Sequence, residues 1–326
     1  MMSFQFDFKS YFERFIIWAK TFRGSITLAS LVLLLLVPLT GNDYLTKIIV
    51  TGMILAIFAA SWDLLAGFAG QVSFGHSAFF GISGYFTAAY VKFFGFPWPI
   101  AIFIGGGYAI IFSLLIGIPC LRLKGPYLAL GTLAFALILW NLFFTGEWLG
   151  GTEGISGLPS LGNIFVIFYI VASFMIVSLV IMRAIVDSRL GTILKSIRDD
   201  ETCADASGID TTVYKLIAFM ISGFFAGIAG ALFVLDSTAV NPGAFQTLYS
   251  FYAIIMAAIG GMVTIYGSVI GAFLFILLSE FLRPLAAASL LIFATLLILI
   301  VRFAEEGVMN PVLERIQDIW DWIRRR

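Results

Sequence analysis

Residues Leu190 to Asp210, LGTILKSIRDDETCADASGID, gather Arg198, Asp199, Asp200, Glu201, Asp205 and a cysteine, Cys203, into one charged run between long apolar segments. Acids followed by small residues (Cys203, Ala204) and then Gly208 suit a short helix that docks into a cleft on another protein. Leu190, Ile193, Leu194 and Ile197 fall at i, i+3, i+4 and i+7, which predicts a preceding helix with one apolar face. Asp199, Asp200 and Glu201 favour the N-terminus of a second short helix, and Gly208 favours its C-terminal stop. The plainer alternative is a solvated loop between spans.

A second group of residues interrupts an apolar region: Ala66 to Ser77, with Gly70, Gln71, Ser73, Gly75 and His76. Irregular backbone at membrane depth survives only where it is buried in protein or lines a wet cavity, so this break is a candidate transport pathway. Asp63 just before it is read as capping the break more readily than as touching a ligand. Gly260 and Gly261 form a similar break and join the pathway candidates. His76 is the only His, and with no second His or Cys nearby no metal site is expected. Glu280 and Arg283, at i, i+3, read as a structural pair near an interface. The Gly-rich segment Thr145 to Asn163, with Glu153 and Gly154, reads as a mobile outer surface serving as a gate or partner-docking element. No Gly-Lys dipeptide exists, so ATP binding through a Walker A loop is excluded, and no nucleophile elbow or dinucleotide fingerprint is present.

The elements that must position these residues follow from composition. Only 12% of the 326 residues are charged and 61% are hydrophobic, with a mean hydropathy of +1.04. A soluble domain carries about a quarter charged residues. The fold class is therefore an all-α integral membrane protein, a polytopic bundle of about ten (eight to ten) transmembrane helices with Gly-broken or re-entrant segments. Spans are expected near 24–41, 46–67, 72–91, 98–119, 126–144, 163–182, 214–235, 248–262, 266–282 and 285–301. Residues 1–23, with Phe8, Tyr11, Phe12, Phe15 and Trp18 near helical spacing, read as an amphipathic helix on the cytoplasmic surface. The permease region then covers 24–302, with the charged helix at 190–210, and a cytoplasmic tail covers 303–326. With both termini inside, sixteen of the 19 Lys and Arg fall in cytoplasmic segments, leaving only Lys47, Lys92 and Arg283 outside. Cys120 and Cys203 then both face a reducing compartment, and no disulfide is expected. Gly223-Phe-Phe-Ala-Gly227 and Gly267-Ser-Val-Ile-Gly271 permit close helix packing.

Several segments together resemble one family, the integral-membrane permease subunits of branched-chain amino acid ABC importers, in particular the longer, M-type member of the permease pair. The matching segments are Ala69-Gly-Gln-Val-Ser-Phe-Gly-His-Ser-Ala-Phe-Phe-Gly81, Leu121-Arg-Leu-Lys-Gly125 with Tyr127-Leu-Ala-Leu130, and Gly150-Gly-Thr-Glu-Gly-Ile-Ser-Gly-Leu-Pro159. Arg198-Asp-Asp-Glu-Thr-Cys-Ala-Asp-Ala-Ser-Gly-Ile209 and Gly260-Gly-Met262 complete the set. The resemblance implies that Glu201 to Gly208 is a coupling helix docking on a separate ATPase subunit. It further implies a homologous second permease, two cytoplasmic ATPases that bind the ATP, and an extracytoplasmic amino-acid-binding protein. The location implied is the inner membrane. Neither a nucleic-acid partner nor a cofactor of the chain itself is expected. Departures from the family pattern are Asp63, where many members carry an amide, and Cys203-Ala204 in place of Ala-Ala. Relatives that move urea or short amides share much of the pattern, so both substrate classes stay open, with an ion-coupled secondary transporter as a more distant alternative.

Overall fold

The computed structural model describes residues 33–285 except 124, 148 and 149, together with 291, 292, 295 and 298. The expected amphipathic helix at 1–23 and the tail at 303–326 lie outside the described residues, as do residues 24–32 of the span expected at 24–41 and most of the span expected at 285–301. In chain order the helices are α1 (Asp43–Asp63), α2 (His76–Phe94), α3 (Trp98–Cys120), α4 (Pro126–Thr145), α5 (Ile164–Val186), α6 (Arg189–Asp199), α7 (Glu201–Ala206), α8 (Thr211–Ser237), α9 (Thr247–Gly260) and α10 (Ile265–Phe281). No strand is formed among the described residues; one isolated antiparallel bridge joins Ile155 to Val240.

Six of these are long and apolar enough to cross a membrane: α1 with its π-helical continuation to Phe68, α3, α4, α5, α8 and α10. The expected spans at 72–91 and 248–262 are occupied by α2 and α9, and both depart from that expectation. Residues 70–75 are not helical, so α2 begins only at His76, and α9 is 14 residues long. Gly81, Ser83, Gly84 and Thr87 lower the hydropathy of α2, and all four are buried against neighbouring helices, where little lipid-facing surface is needed. Against the expected count of about ten, the described residues hold six helices of full spanning length.

Helices α1 and α8 form the centre: 83% and 72% of their most apolar windows are buried, against 33 to 44% in the other four. A helix apolar on all sides belongs in such a position. Asn42 starts α1 by accepting a hydrogen bond from the Leu45 amide at 3.1 Å, and Asp210 does the same for Val213 at the start of α8. Small residues set the helix spacing. A Cβ on Gly227 would stand 2.6 Å from the Ala109 Cβ of α3, and one on Gly230 would stand 2.1 Å from the Phe80 carbonyl of α2. The Gly267 and Gly271 pair serves α10 in the same way against Gly260 and Met256 of α9. Leu115, Ile118, Ile138, Val177, Val180 and Leu277 are exposed on the outer helices.

Among the described residues the ion pairs lie at the two ends of the bundle. At one end Lys47 meets Asp236 at 2.6 Å, and Glu280 accepts from both Arg283 (3.1 Å) and the Tyr44 hydroxyl. At the other end lie Arg183–Asp187, Arg198–Asp199 and Lys215–Glu201.

Candidate functional site

Beyond Asp63 the first helix widens into a π-turn over Leu64–Phe68, and the chain then runs non-helically until α2 starts at His76. Gly70 takes a φ of +69°, the left-handed region that glycine enters without strain. Several polar groups of this break find partners inside the protein, while the Ser73 hydroxyl and the His76 Nδ1 are buried without one among the described residues. The Trp62 indole donates to the Ser73 carbonyl (2.8 Å), the Phe74 amide to the Thr132 hydroxyl (3.1 Å), and the Ser77 amide to the Ser250 hydroxyl (2.9 Å). A Cβ at Gly75 would lie 2.0 Å from the Thr132 carbonyl, so α4 sits directly on the break. The His76 Nε2 lies 3.0 Å from the Ser61 hydroxyl, whose own proton goes to the Phe58 carbonyl at 2.7 Å. That geometry makes the His76 Nε2 the donor to Ser61, with the ring packed between Phe58 and Phe79. Among the described residues no group of three or more His, Cys, Asp or Glu assembles around it.

Asp63 is buried, and its Oδ1 accepts from the Val263 amide at 2.8 Å. Val263 has φ +66°, a costly conformation for a β-branched residue, in the turn between α9 and α10. The carboxylate therefore holds a strained turn against the end of α1. Gly67 permits this approach, because a Cβ there would stand 2.2 Å from the Asp63 Oδ1. On its other side the Gly67 carbonyl accepts from Arg198 Nη1 at 3.0 Å. The Arg198 stem lies across Gly70, and its guanidinium also binds Asp199 at 2.7 and 2.9 Å. Lys195 stands 5.5 Å over the Phe68 ring. The charged helix, the break and the α9–α10 turn thus meet at one node.

Helices α6 and α7 are built as the sequence spacing predicts. Leu194 and Ile197 are buried, with Leu190 and Ile193 half-buried beside them. Asp200 caps α7 through a 3.0 Å bond from the Cys203 amide, and the chain leaves α7 through Gly208 at φ +83°. Glu201 pairs with Lys215, a lysine buried at the start of α8. Thr202, Cys203, Asp205, Ala206 and Ser207 are left exposed. Ala204 is buried against the chain itself, so it supports α7 from behind and cannot be part of an outward contact.

At the opposite end, the loop holding Glu153 and Gly154 is joined to the bundle by several backbone contacts. Ile155 exchanges two 2.8 Å backbone bonds with Val240, Lys92 donates to the Ser156 carbonyl (2.8 Å), and the Trp98 indole to that of Pro159 (3.2 Å). Gly154, at φ +71°, has no room for a Cβ against Val240. Between the end of α8 and the start of α9 opens a cavity of about 390 Å³, lined in part by Phe233, Ser237, Asn241, Gln246 and Tyr249.

The family described as "Branched-chain amino acid transport system / permease component" matches residues 44–301. The chain belongs to this family. Among curated relatives, it is 28% identical over 288 residues to the high-affinity branched-chain amino acid transport system permease protein LivM of Escherichia coli (strain K12), covering 79% of this chain and 68% of that protein. LivM of Salmonella typhimurium (strain LT2) matches to the same extent. The nucleoside ABC transporter permease protein NupC of Lactococcus lactis subsp. cremoris is 24% identical over 153 residues, 42% of this chain and 48% of that protein. No solved structure matches. These relatives are transport permease components, and the chain is accordingly a membrane permease of this family and not an enzyme.

Of the residues singled out in sequence, Asp63, Gly70 and Arg198 come together at the node, and Gly260 and Gly261 end α9 beside it. Ser73, Gly75 and His76 are buried within the break, while Gly70 and Gln71 remain accessible, the latter bonding the Ala69 carbonyl at 3.1 Å. Glu280 and Arg283 form the expected end pair. Both cysteines are free thiols, Cys120 buried and Cys203 exposed. Lys215, Val263, Thr132 and Ser250 went unnoticed in sequence. Lys215 carried a signal, as a cation set beyond an acidic helix; the others carry none, because their roles depend on contacts 58 to 200 residues away.

Proposed function

We propose that this chain is the permease subunit of an ABC importer that carries branched-chain, apolar amino acids across the cytoplasmic membrane. Its partners in this reading are a homologous permease, two cytoplasmic ATPases and an extracytoplasmic binding protein, and both of its termini are cytoplasmic. The observation that carries the reading is the family match over residues 44–301. The break at 69–75 and the charged pair α6–α7 both fall within that match.

In this mechanism α6 and α7 are the coupling element. The exposed face from Thr202 to Gly208 meets the ATPase, while Leu194, Ile197 and Ala204 anchor the pair to the bundle. Motion imposed on α7 by ATP hydrolysis in the partner reaches the break through Arg198 on the Gly67 carbonyl, and reaches α9 and α10 through Asp63 on Val263. A solute route opens beside Gln71 when that node shifts. Among the described residues the ion pairs lie at the bundle ends, and Asp63 is the sole fully buried acid, already committed to a backbone amide. That distribution disfavours an ion-coupled secondary transporter, which needs cation sites at the membrane midplane. The test is ATP-dependent uptake by the reconstituted assembly of labelled leucine, isoleucine and valine against labelled urea. Urea uptake without an amino acid signal would overturn the substrate and leave the permease assignment standing.

A further inference from the structure

We infer that the cavity of about 390 Å³ between the end of α8 and the start of α9 is where the permease receives its solute, a zwitterionic amino acid with an apolar side chain. The inference rests on the import reading above. Its size falls in the range of about 300–1,000 Å³ typical of small-molecule pockets. None of its lining residues is charged, which suits a ligand that carries both charges itself. Asn241 spends its Oδ1 on the Gly243 amide at 2.9 Å, leaving the side-chain NH₂ to face a carboxylate. The Gln246 amide and the Tyr249 hydroxyl make no hydrogen bond among the described residues, and they add acceptors for an ammonium group. Phe233 and Tyr249, with ring centroids 6.4 Å apart, provide an apolar wall.

Position supports the same ligand. At 14 residues, α9 is about 21 Å long, short of the ~30 Å hydrocarbon core, and it ends at Gly260 beside the cytoplasmic node. Its start at Thr247 therefore lies within the bilayer, at the level where Ser250 binds the Ser77 amide of α2. No side chain caps that start. Behind the cavity, Tyr249 stacks on Phe80 (5.4 Å), Phe80 meets Phe58 (5.2 Å), and Phe58 meets His76 (5.2 Å). Three rings thus separate the cavity from the break.

The test uses the full transporter in proteoliposomes, with leucine supplied through its binding protein and uridine as a second solute. Gln246→Ala breaks no bond within the protein, and Tyr249→Phe keeps the ring on Phe80. Each should raise the half-saturating concentration for leucine uptake about five- to tenfold, the worth of one lost hydrogen bond, with assembly and ATP hydrolysis intact. Wild-type half-saturation in both variants, with leucine still transported by the parent, overturns the cavity alone. Uridine uptake without leucine uptake by the parent overturns the ligand class and the amino acid substrate of the proposed function together, and leaves the importer assignment standing.

Discussion

Replacing Arg198 by Met should separate ATP hydrolysis from transport. Arg198 Nη1 donates to the Gly67 carbonyl at 3.0 Å, and its stem lies on Gly70. Methionine keeps most of that stem and removes the charged donor. A hydrogen bond from a charged donor contributes about 1.5–3 kcal/mol. The side chain is 30% exposed, and water can partly replace the lost partner, which reduces the figure to about 1–2 kcal/mol. If the contact transmits the motion of α6 to the break, that loss reduces coupled turnover by a factor of about 5–30. The assay is solute moved per ATP hydrolysed, measured on transporters purified with the full set of subunits. A ratio unchanged from the parent, in a correctly assembled complex, would refute the transmission path through Gly67.

Four further outcomes follow from the same contacts. Gly75→Ala and Gly260→Ala would place a methyl 2.0 and 1.7 Å from backbone carbonyls of Thr132 and Gly267. Each should cost more than the ~1–3 kcal/mol of ordinary overpacking, read as loss of folded protein on detergent size-exclusion chromatography. Asp63→Asn keeps an acceptor for the Val263 amide and should preserve uptake, whereas Asp63→Leu leaves a strained turn unheld and should abolish it in the same transport assay. Glu201→Arg sets two cations together at Lys215 and should release the ATPase on co-purification while leaving membrane insertion intact. Gly208→Pro should do the same, because φ +83° is closed to proline.

The helical architecture was legible because charge-free runs of membrane-spanning length state it directly, and α6 and α7 were legible because amphipathic spacing and capping chemistry are local. Asp200 and Gly208 stand at the helix ends where their types place them. The breaks at 69–75 and after Gly260 were visible as Gly clusters, yet their geometry was not. That Asp63 would reach a residue 200 positions away, or that α4 would sit on Gly75, follows from packing between distant segments. In the outer loop the Gly content was visible, while the bridge from Ile155 to Val240 is non-local and left no mark in the sequence. Span counting was least secure at α2 and α9, where small and polar residues suit a protein interior better than lipid.

Docking of α7 on a cytoplasmic ATPase can be tested without changing a residue, because Cys203 is exposed on that helix and Cys120, the second cysteine, is buried. A photoreactive maleimide attached to Cys203 in the assembled transporter should cross-link the ATPase subunit on illumination, and the yield should fall when the ATPase is removed and return when it is restored. Efficient labelling of Cys203 with cross-links only to lipid or to the extracytoplasmic binding protein would contradict both the coupling role of α7 and its placement on the cytoplasmic side.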